Sequence, residues 1–218
     1  MDQLLELFKH LINPQWILEH GGLWLLLFII FAETGLFVGF FLPGDSLLFV
    51  TGMTLSASGH INGLNVWEVI GVMALAGIAG NFAGYWFGRK SGPLLFKRKD
   101  SLLFKKKHLE AAHAFYEKYG GGAIVFARFL PFIRTFAPIV AGVVKMEYKK
   151  FIVYNIIGSV AWVCSMILLG YYLGKAIPGL DEHLELIVLG IIIITTAPVL
   201  LRFFLGKKKS PAVPPINP

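Results

Sequence analysis

The fold of this chain is decided by one strongly apolar stretch, residues 31–46, with the sequence FAETGLFVGFFLPGDS. The stretch carries two carboxylates, Glu33 and Asp45, and a helix-breaking Pro43-Gly44 pair. A charged side chain at the centre of a bilayer costs on the order of 2.5–3.5 kcal/mol on insertion scales. We therefore expect both carboxylates to have buried partners and a functional role.

A second stretch of the same kind, residues 121–138, reads GGAIVFARFLPFIRTFAP. It combines two arginines, Arg128 and Arg134, with two prolines, Pro131 and Pro138. On one straight helix the arginines would point about 120° apart, but a break at Pro131 removes that restriction. We expect these arginines to be the partners of the two carboxylates in the first stretch.

The composition is that of a membrane protein. Of the 218 residues, 56% are hydrophobic and only 15% are charged, which favours a single polytopic membrane domain. The net charge of +7 comes from short basic blocks between apolar runs, a pattern typical of cytoplasmic loops facing anionic lipid. A soluble basic face, which a nucleic-acid partner would require, is missing from the sequence.

The chain divides into three parts. Residues 1–14 have the spacing of an amphipathic helix lying in the membrane interface. Residues 15–206 form the membrane domain, and residues 207–218 are predicted to be a disordered tail. The lysines that begin this tail predict a cytoplasmic C-terminus by the positive-inside rule.

Within the membrane domain, two segments do not fit ordinary spanning helices. We predict re-entrant hairpins at about residues 33–58, turning at Pro43-Gly44, and at residues 121–144, turning at Pro131 and Pro138. Broken backbone at membrane depth is tolerated only inside protein or beside water, so the hairpins predict a polar cavity. The predicted spanning segments are residues 16–32, 66–88, 151–173 and 187–204.

A short repeat relates the two halves. Residues 84–89 and 170–175 share the pattern Gly-Tyr-aromatic-apolar-Gly-basic. Each copy follows a hairpin, but loop charges place the first inside and the second outside. The fold class is therefore predicted as an all-α polytopic membrane protein with two inverted repeats. Each repeat is a re-entrant helical hairpin plus a spanning helix, with additional N- and C-terminal membrane helices.

The motifs resemble those of the DedA family of bacterial inner-membrane proteins, which is related to eukaryotic VTT-domain lipid scramblases. The resemblance covers roughly residues 4–204. Many family members have a proline where this chain has Phe40. The motifs that carry it are ETG at residues 33–35, LPGDSLLF at residues 42–49, HxFYxKxG at residues 113–120 and ARFxPxxRTFAP at residues 127–138.

The resemblance implies a lipid flippase or scramblase of the bacterial cytoplasmic membrane that supports envelope homeostasis. The implied substrate is undecaprenyl phosphate or a phospholipid such as phosphatidylethanolamine, with coupling to the proton motive force. The implied essential set is Glu33, Asp45, Arg128 and Arg134. Guanidinium groups bind phosphate in a bidentate manner, and protonation of either carboxylate is expected to free them for it.

Several alternatives stay open. Glu33 and Asp45 are also suited to the proton relay of a small-cation antiporter, and the chain also fits a general phospholipid scramblase. An alternative for the four charges is an ion-pair network that only locks the hairpins, and an alternative for Asp45 is a simple helix cap. Arg89 is either an accessory ligand or a positive-inside anchor. We expect no cofactor, no metal site and no enzyme activity, because the sequence lacks a catalytic set; a homo-oligomer stays open.

Overall fold

The computed structural model describes residues 14–36, 42, 44–97, 122–129, 131–177 and 190. This part of the chain is helical and contains no strand apart from an isolated bridge between Ile61 and Leu64. The prediction of an all-helical chain is confirmed for these residues. The helices are α1 (Pro14–Gly35), α2 (Gly44–Ser58), α3 (Val66–Lys97), α4 (Gly122–Arg128), α5 (Pro131–Val143) and α6 (Tyr148–Ala176).

Two of the helices are long and apolar enough to cross a membrane: Val66–Gly92 within α3, and Tyr148–Ala176, which is α6. The apolar part of α1 is shorter and begins at Gly22, where the backbone adopts φ 52° and kinks the helix. Glycine tolerates this left-handed conformation at low cost. The first predicted membrane segment, residues 16–32, therefore begins before this kink and contains it.

Helix α3 extends further than its apolar composition predicts. The sequence places its end at Gly88, but the hydrogen-bonded helix continues to Lys97. Arg89 and Lys90 end the apolar surface without ending the helix, since both residue types have high helix propensity. The start of α3 is a capping box in which Asn65 Oδ1 accepts the Glu68 N–H at 3.2 Å and Glu68 Oε2 accepts the Asn65 N–H at 2.8 Å.

One helix ends and the next begins near Pro43-Gly44 and again near Pro131, as the sequence predicts. Helix α1 ends at Gly35 and α2 begins at Gly44, whereas α4 ends at Arg128 and α5 begins at Pro131. Proline is favoured at the first position of a helix because the N–H that it lacks would have no helical partner.

Pro138 does not form a turn, and that part of the hairpin prediction is wrong. It lies inside α5 and is buried, facing α3 near Gly84, where an added Cβ would be 3.5 Å from Pro138 Cγ. The φ angle of proline is compatible with a helix, and within the helix it removes one backbone hydrogen bond. In α5 the helix continues past this position to Val143.

The helices cross at glycines. Helix α2 packs against α6, α3 packs against α5, and α1 packs against α3. At each crossing a Cβ in place of the glycine would collide with the facing helix, so these contacts depend on glycine. The glycine pairs are Gly52 with Gly170, Gly88 with Gly142, and Gly35 with Gly80.

Candidate functional site

The structure buries the four charged side chains that the sequence singles out. The exposed fractions are 1% for Glu33, 8% for Asp45, 3% for Arg128 and 8% for Arg134. Each side chain comes from a different helix. Each also lies within a few residues of one of the two helix interruptions, between α1 and α2 or between α4 and α5. Burial of an ion costs several kcal/mol unless it is paired, so the contacts of each group decide what the cluster can do.

Arg134 holds both carboxylates. Its Nη2 forms an ion pair with Glu33 Oε1, and its Nη1 forms an ion pair with Asp45 Oδ1. The indole N–H of Trp162 donates to the same Asp45 oxygen at 2.8 Å, and Arg134 Cζ lies 5.0 Å from the Trp162 ring centroid. We call these four residues the Arg134 cage; it ties α5 to α1, α2 and α6.

Two details of the cage concern the start of α2 at Gly44. A Cβ at Gly44 would collide with Glu33 Oε2, so glycine at this position leaves room for the carboxylate. Asp45 lies in the first turn of α2, where the helix dipole favours an anion. Its described side-chain contacts, with Arg134 and Trp162, nevertheless run to other helices.

Arg128 occupies a different environment. It is the last residue of α4, and its side chain passes over Gly158, where an added Cβ would lie 3.0 Å from Arg128 Cδ. Its Nη2 donates to Asn155 Oδ1 at 2.7 Å. Within the described part of the chain, Nη1 makes no hydrogen bond and no carboxylate pairs with Arg128. Of the two predicted arginine–carboxylate pairings, the structure contains the one at Arg134.

Sequence reasoning missed the two buried asparagines beside Arg128. Asn155 of α6 donates its amide N–H to the Ile78 carbonyl at 3.2 Å. The amide of Asn81, from α3, lies 2.8 Å from Asn155 Oδ1 and 3.1 Å from the Thr34 carbonyl oxygen. The signal was present in the sequence, because polar residues inside spanning helices are rare and mark functional sites.

Arg89 lies apart from this cluster. It is exposed on α3, and its Nη1 donates to the Tyr85 hydroxyl at 2.8 Å. Tyr85 in turn donates to the Met146 carbonyl at 2.7 Å. Along the helix axis, Arg89 is about 12 Å beyond Asn81, so it does not belong to the buried charge cluster.

The cluster divides into two parts of opposite charge. With all groups ionised, the Arg134 cage carries one cation and two anions, and the Arg128 guanidinium carries one positive charge. Both parts are enclosed by helices that include two of spanning length and composition. Fold and site together define a helical membrane protein with a charged internal site.

Comparison with known proteins identifies the family. A sequence model of the VTT domain matches residues 42–172. Protein DedA of Escherichia coli is 40% identical over 211 residues, which cover 95% of this chain and 94% of that protein. The chain therefore belongs to the DedA family of VTT-domain membrane proteins.

Two further relatives are named as membrane proteins. An uncharacterised membrane protein of Mycobacterium leprae is 39% identical over 195 residues, covering 89% of this chain and 85% of the relative. The inner membrane protein YqjA of Escherichia coli is 31% identical over 169 residues, covering 77% of this chain and 74% of the relative. No solved structure matches the chain.

Proposed function

We propose that this protein is a lipid flippase or scramblase of the bacterial cytoplasmic membrane. Its proposed substrate is a lipid with a phosphate headgroup, undecaprenyl phosphate first and phosphatidylethanolamine second. The observation that carries the proposal is the buried Arg128 guanidinium, which has a neutral amide partner and one nitrogen without a hydrogen bond in the described part of the chain. Arginine is suited to phosphate because it keeps its proton and presents a planar set of donors.

The proposed transport step is competition between phosphate and carboxylate. With four ionised groups, the cluster is neutral, and a bound monoanionic headgroup would leave one uncompensated negative charge in a medium of low dielectric constant. Protonation of Glu33 or Asp45 restores neutrality and releases one arm of Arg134. One proton per monoanionic headgroup is therefore the coupling that this charge count favours, and it supports a link to the proton motive force.

The proposed topology places residues 33–58 and 121–144 in two re-entrant hairpins that belong to inverted repeats. Support comes from the packing of helices in each half of the chain against helices in the other half. Helix α3, from the first half, packs against α5 of the second, and α6, from the second half, packs against α2 of the first.

The repeated motifs lie at these crossings and make corresponding contacts. Arg89 Cζ lies 6.0 Å from the Tyr85 ring centroid in one motif, and Lys175 Nζ lies 4.4 Å from the Tyr171 ring centroid in the other. Such agreement is expected of two structural repeats in a transporter fold.

The remaining proposals concern the whole chain. We propose a multi-pass protein of the inner membrane with a cytoplasmic C-terminus, no enzyme activity and no cofactor. Its proposed partners are membrane lipids, not nucleic acid, and a homo-oligomer stays open. Residues 1–13 of the predicted interfacial helix and the tail of residues 207–218 lie outside the described residues, whereas Pro14, the last residue of that prediction, begins α1. The predicted spanning segment of residues 187–204 also lies outside them, except for Gly190.

The test is lipid movement between leaflets of proteoliposomes. Wild type, Arg128→Gln and Arg134→Ala are compared with Arg89→Ala, an arginine control outside the cluster. Labelled undecaprenyl phosphate and phosphatidylethanolamine are followed with and without a pH gradient. We expect wild type and the control to move lipid and both cluster variants to lose this activity.

Two results would contradict the proposal. Folded wild-type protein that moves neither lipid refutes lipid transport, and sodium or potassium flux under the same gradient would then select the antiporter. Lipid movement that Arg128→Gln and Arg134→Ala leave intact refutes the phosphate site instead.

A further inference from the structure

The two buried arginines differ in what a phosphate must displace to reach them. Both terminal nitrogens of Arg134 already hold carboxylates. Arg128 Nη2 has neutral amide partners, since it donates to Asn155 Oδ1 and contacts the side-chain amide of Asn81, and Nη1 is unoccupied within the described residues. We propose that Arg128 is the headgroup-phosphate contact of the transport site and that Asn155 is the positioning residue that holds its guanidinium for this contact. The inference rests on the proposed function and deepens it.

The Arg128 side chain lies in a slot between α6 and α3 that glycine at residue 158 keeps open. At Gly158 of α6, an added Cβ would come within 3.2 Å of Arg128 Nε, and at Gly77 of α3 it would lie 3.8 Å from Nη1. The added Cβ at Gly77 would also lie 3.9 Å from Trp162, a member of the Arg134 cage. The free nitrogen of Arg128 and the Trp162 ring of the cage therefore both lie close to Gly77.

Asn155 has the contacts of a residue that orients another. Its amide nitrogen donates to the Ile78 carbonyl at 3.2 Å, which leaves its oxygen facing Arg128. The same oxygen accepts the Ser159 hydroxyl at 3.3 Å and contacts the Asn81 amide at 2.8 Å. These contacts, in a side chain that is fully buried, fix the direction in which the guanidinium points.

A neutral partner is what an anion receptor requires. An amide satisfies one guanidinium nitrogen without cancelling its positive charge, whereas a carboxylate would compete directly with phosphate. Leaving a buried cation without a counter-ion is costly, and a phosphate at Nη1 would supply one. The ligand class that fits is a phosphate ester or free phosphate.

The first experiment replaces the neutral partner of Arg128 with a carboxylate that would compete with phosphate. Asn155→Asp is isosteric and places a carboxylate against Arg128. The control, Asn65→Asp, makes the same chemical change at the exposed α3 cap, where aspartate also caps well. Binding is measured in detergent as the rise of the Tm with added ligand, using dihexanoyl phosphatidic acid and inorganic phosphate as separate probes.

We expect Asn155→Asp to weaken binding of the phosphatidic acid about tenfold or more, since charged hydrogen bonds contribute on this scale. The control should bind like wild type, and the ligand-free Tm of Asn155→Asp should not fall. Wild-type affinity in folded Asn155→Asp overturns the inference. Binding of inorganic phosphate without binding of the lipid overturns the headgroup assignment.

A double-mutant cycle tests whether Asn155 positions Arg128 or has only a general structural role. It remains a test of the inference if Asn155→Asp does not fold. Asn155→Ala is placed in the wild-type and Arg128→Gln backgrounds. If Asn155 acts through Arg128, the alanine weakens binding about tenfold in the first background and has no further effect in the second. Equal losses in both backgrounds overturn the inference. Failure of the proposed function looks different, because wild type itself would then move no lipid.

Discussion

Gly44→Ala tests the buried cage with a single methyl group. A Cβ at this position would collide with Glu33 Oε2, so the substitution should push the carboxylate away from Arg134. Removal of one partner from a buried ion pair costs about 3–5 kcal/mol, and Arg134 keeps Asp45, so we expect a loss of about 3 kcal/mol. For a chain of this size, that loss corresponds to a fall in Tm of about 6–12 °C.

The assay is thermal unfolding in detergent, followed by tryptophan fluorescence, alongside lipid movement in proteoliposomes. The matched control is Gly71→Ala in α3, because an added Cβ there meets nothing within 4 Å and alanine favours the helix by about 1 kcal/mol. A second variant, Glu33→Asp in the Gly44→Ala background, shortens the carboxylate arm and should recover part of the lost stability. A Tm for Gly44→Ala within about 2 °C of wild type would refute the placement of Glu33 against Gly44.

Three further predictions concern single contacts. Trp162→Phe keeps an aromatic ring beside Arg134 but removes the N–H donor to Asp45, so the free energy of unfolding should fall by about 1.5–3 kcal/mol. An unchanged Tm would contradict the contact between Trp162 and Asp45. Asn65→Ala removes the cap of α3 and should cost about 1 kcal/mol in the same assay, while lipid transport per folded molecule stays at the wild-type level. Gly158→Ala crowds the aliphatic part of Arg128, so phosphatidic acid binding should weaken with a Tm change below that of Gly44→Ala; unchanged binding would refute the slot.

Much of the site was predictable because burial of charge has a large and general cost. Glu33, Asp45 and Arg134 lie in apolar sequence, so each needed a partner, and the structure brings the three together. The breaks at Gly44 and Pro131 were predictable for a similar reason, since proline and glycine restrict or free the backbone locally.

The pairing of Arg128 was not predictable from the same reasoning. Its contact with Asn155 depends on where α4 crosses α6, and it depends on glycine at residue 158 to admit the side chain. No local preference encodes that crossing. The course of the backbone at Pro138 is a similar case, because sequence indicates a helix breaker, whereas α5 continues through this residue.

Helix ends explain why one arginine takes both carboxylates. Arg128 is the last residue of α4, where the helix dipole favours a cation by up to about 1 kcal/mol and offsets part of the cost of burying it beside a neutral amide. Arg134 is the fourth residue of α5, near the positive end of that dipole, where a cation is disfavoured by up to about 1 kcal/mol. Asp45, in the first turn of α2, is an anion at a favourable end.

The end of α4 at Arg128 and the start of α5 at Pro131 therefore do more than interrupt a helix. They place two arginines on opposite kinds of helix end, which makes one a cation that needs carboxylates and the other a cation available to a ligand. A continuous helix through this segment would give both arginines the same environment in its interior. It would also point them about 120° apart, so that they could not face one cavity. By this argument, extending α4 through the break would abolish the difference between the two arginines and would leave the total charge of the cluster unchanged.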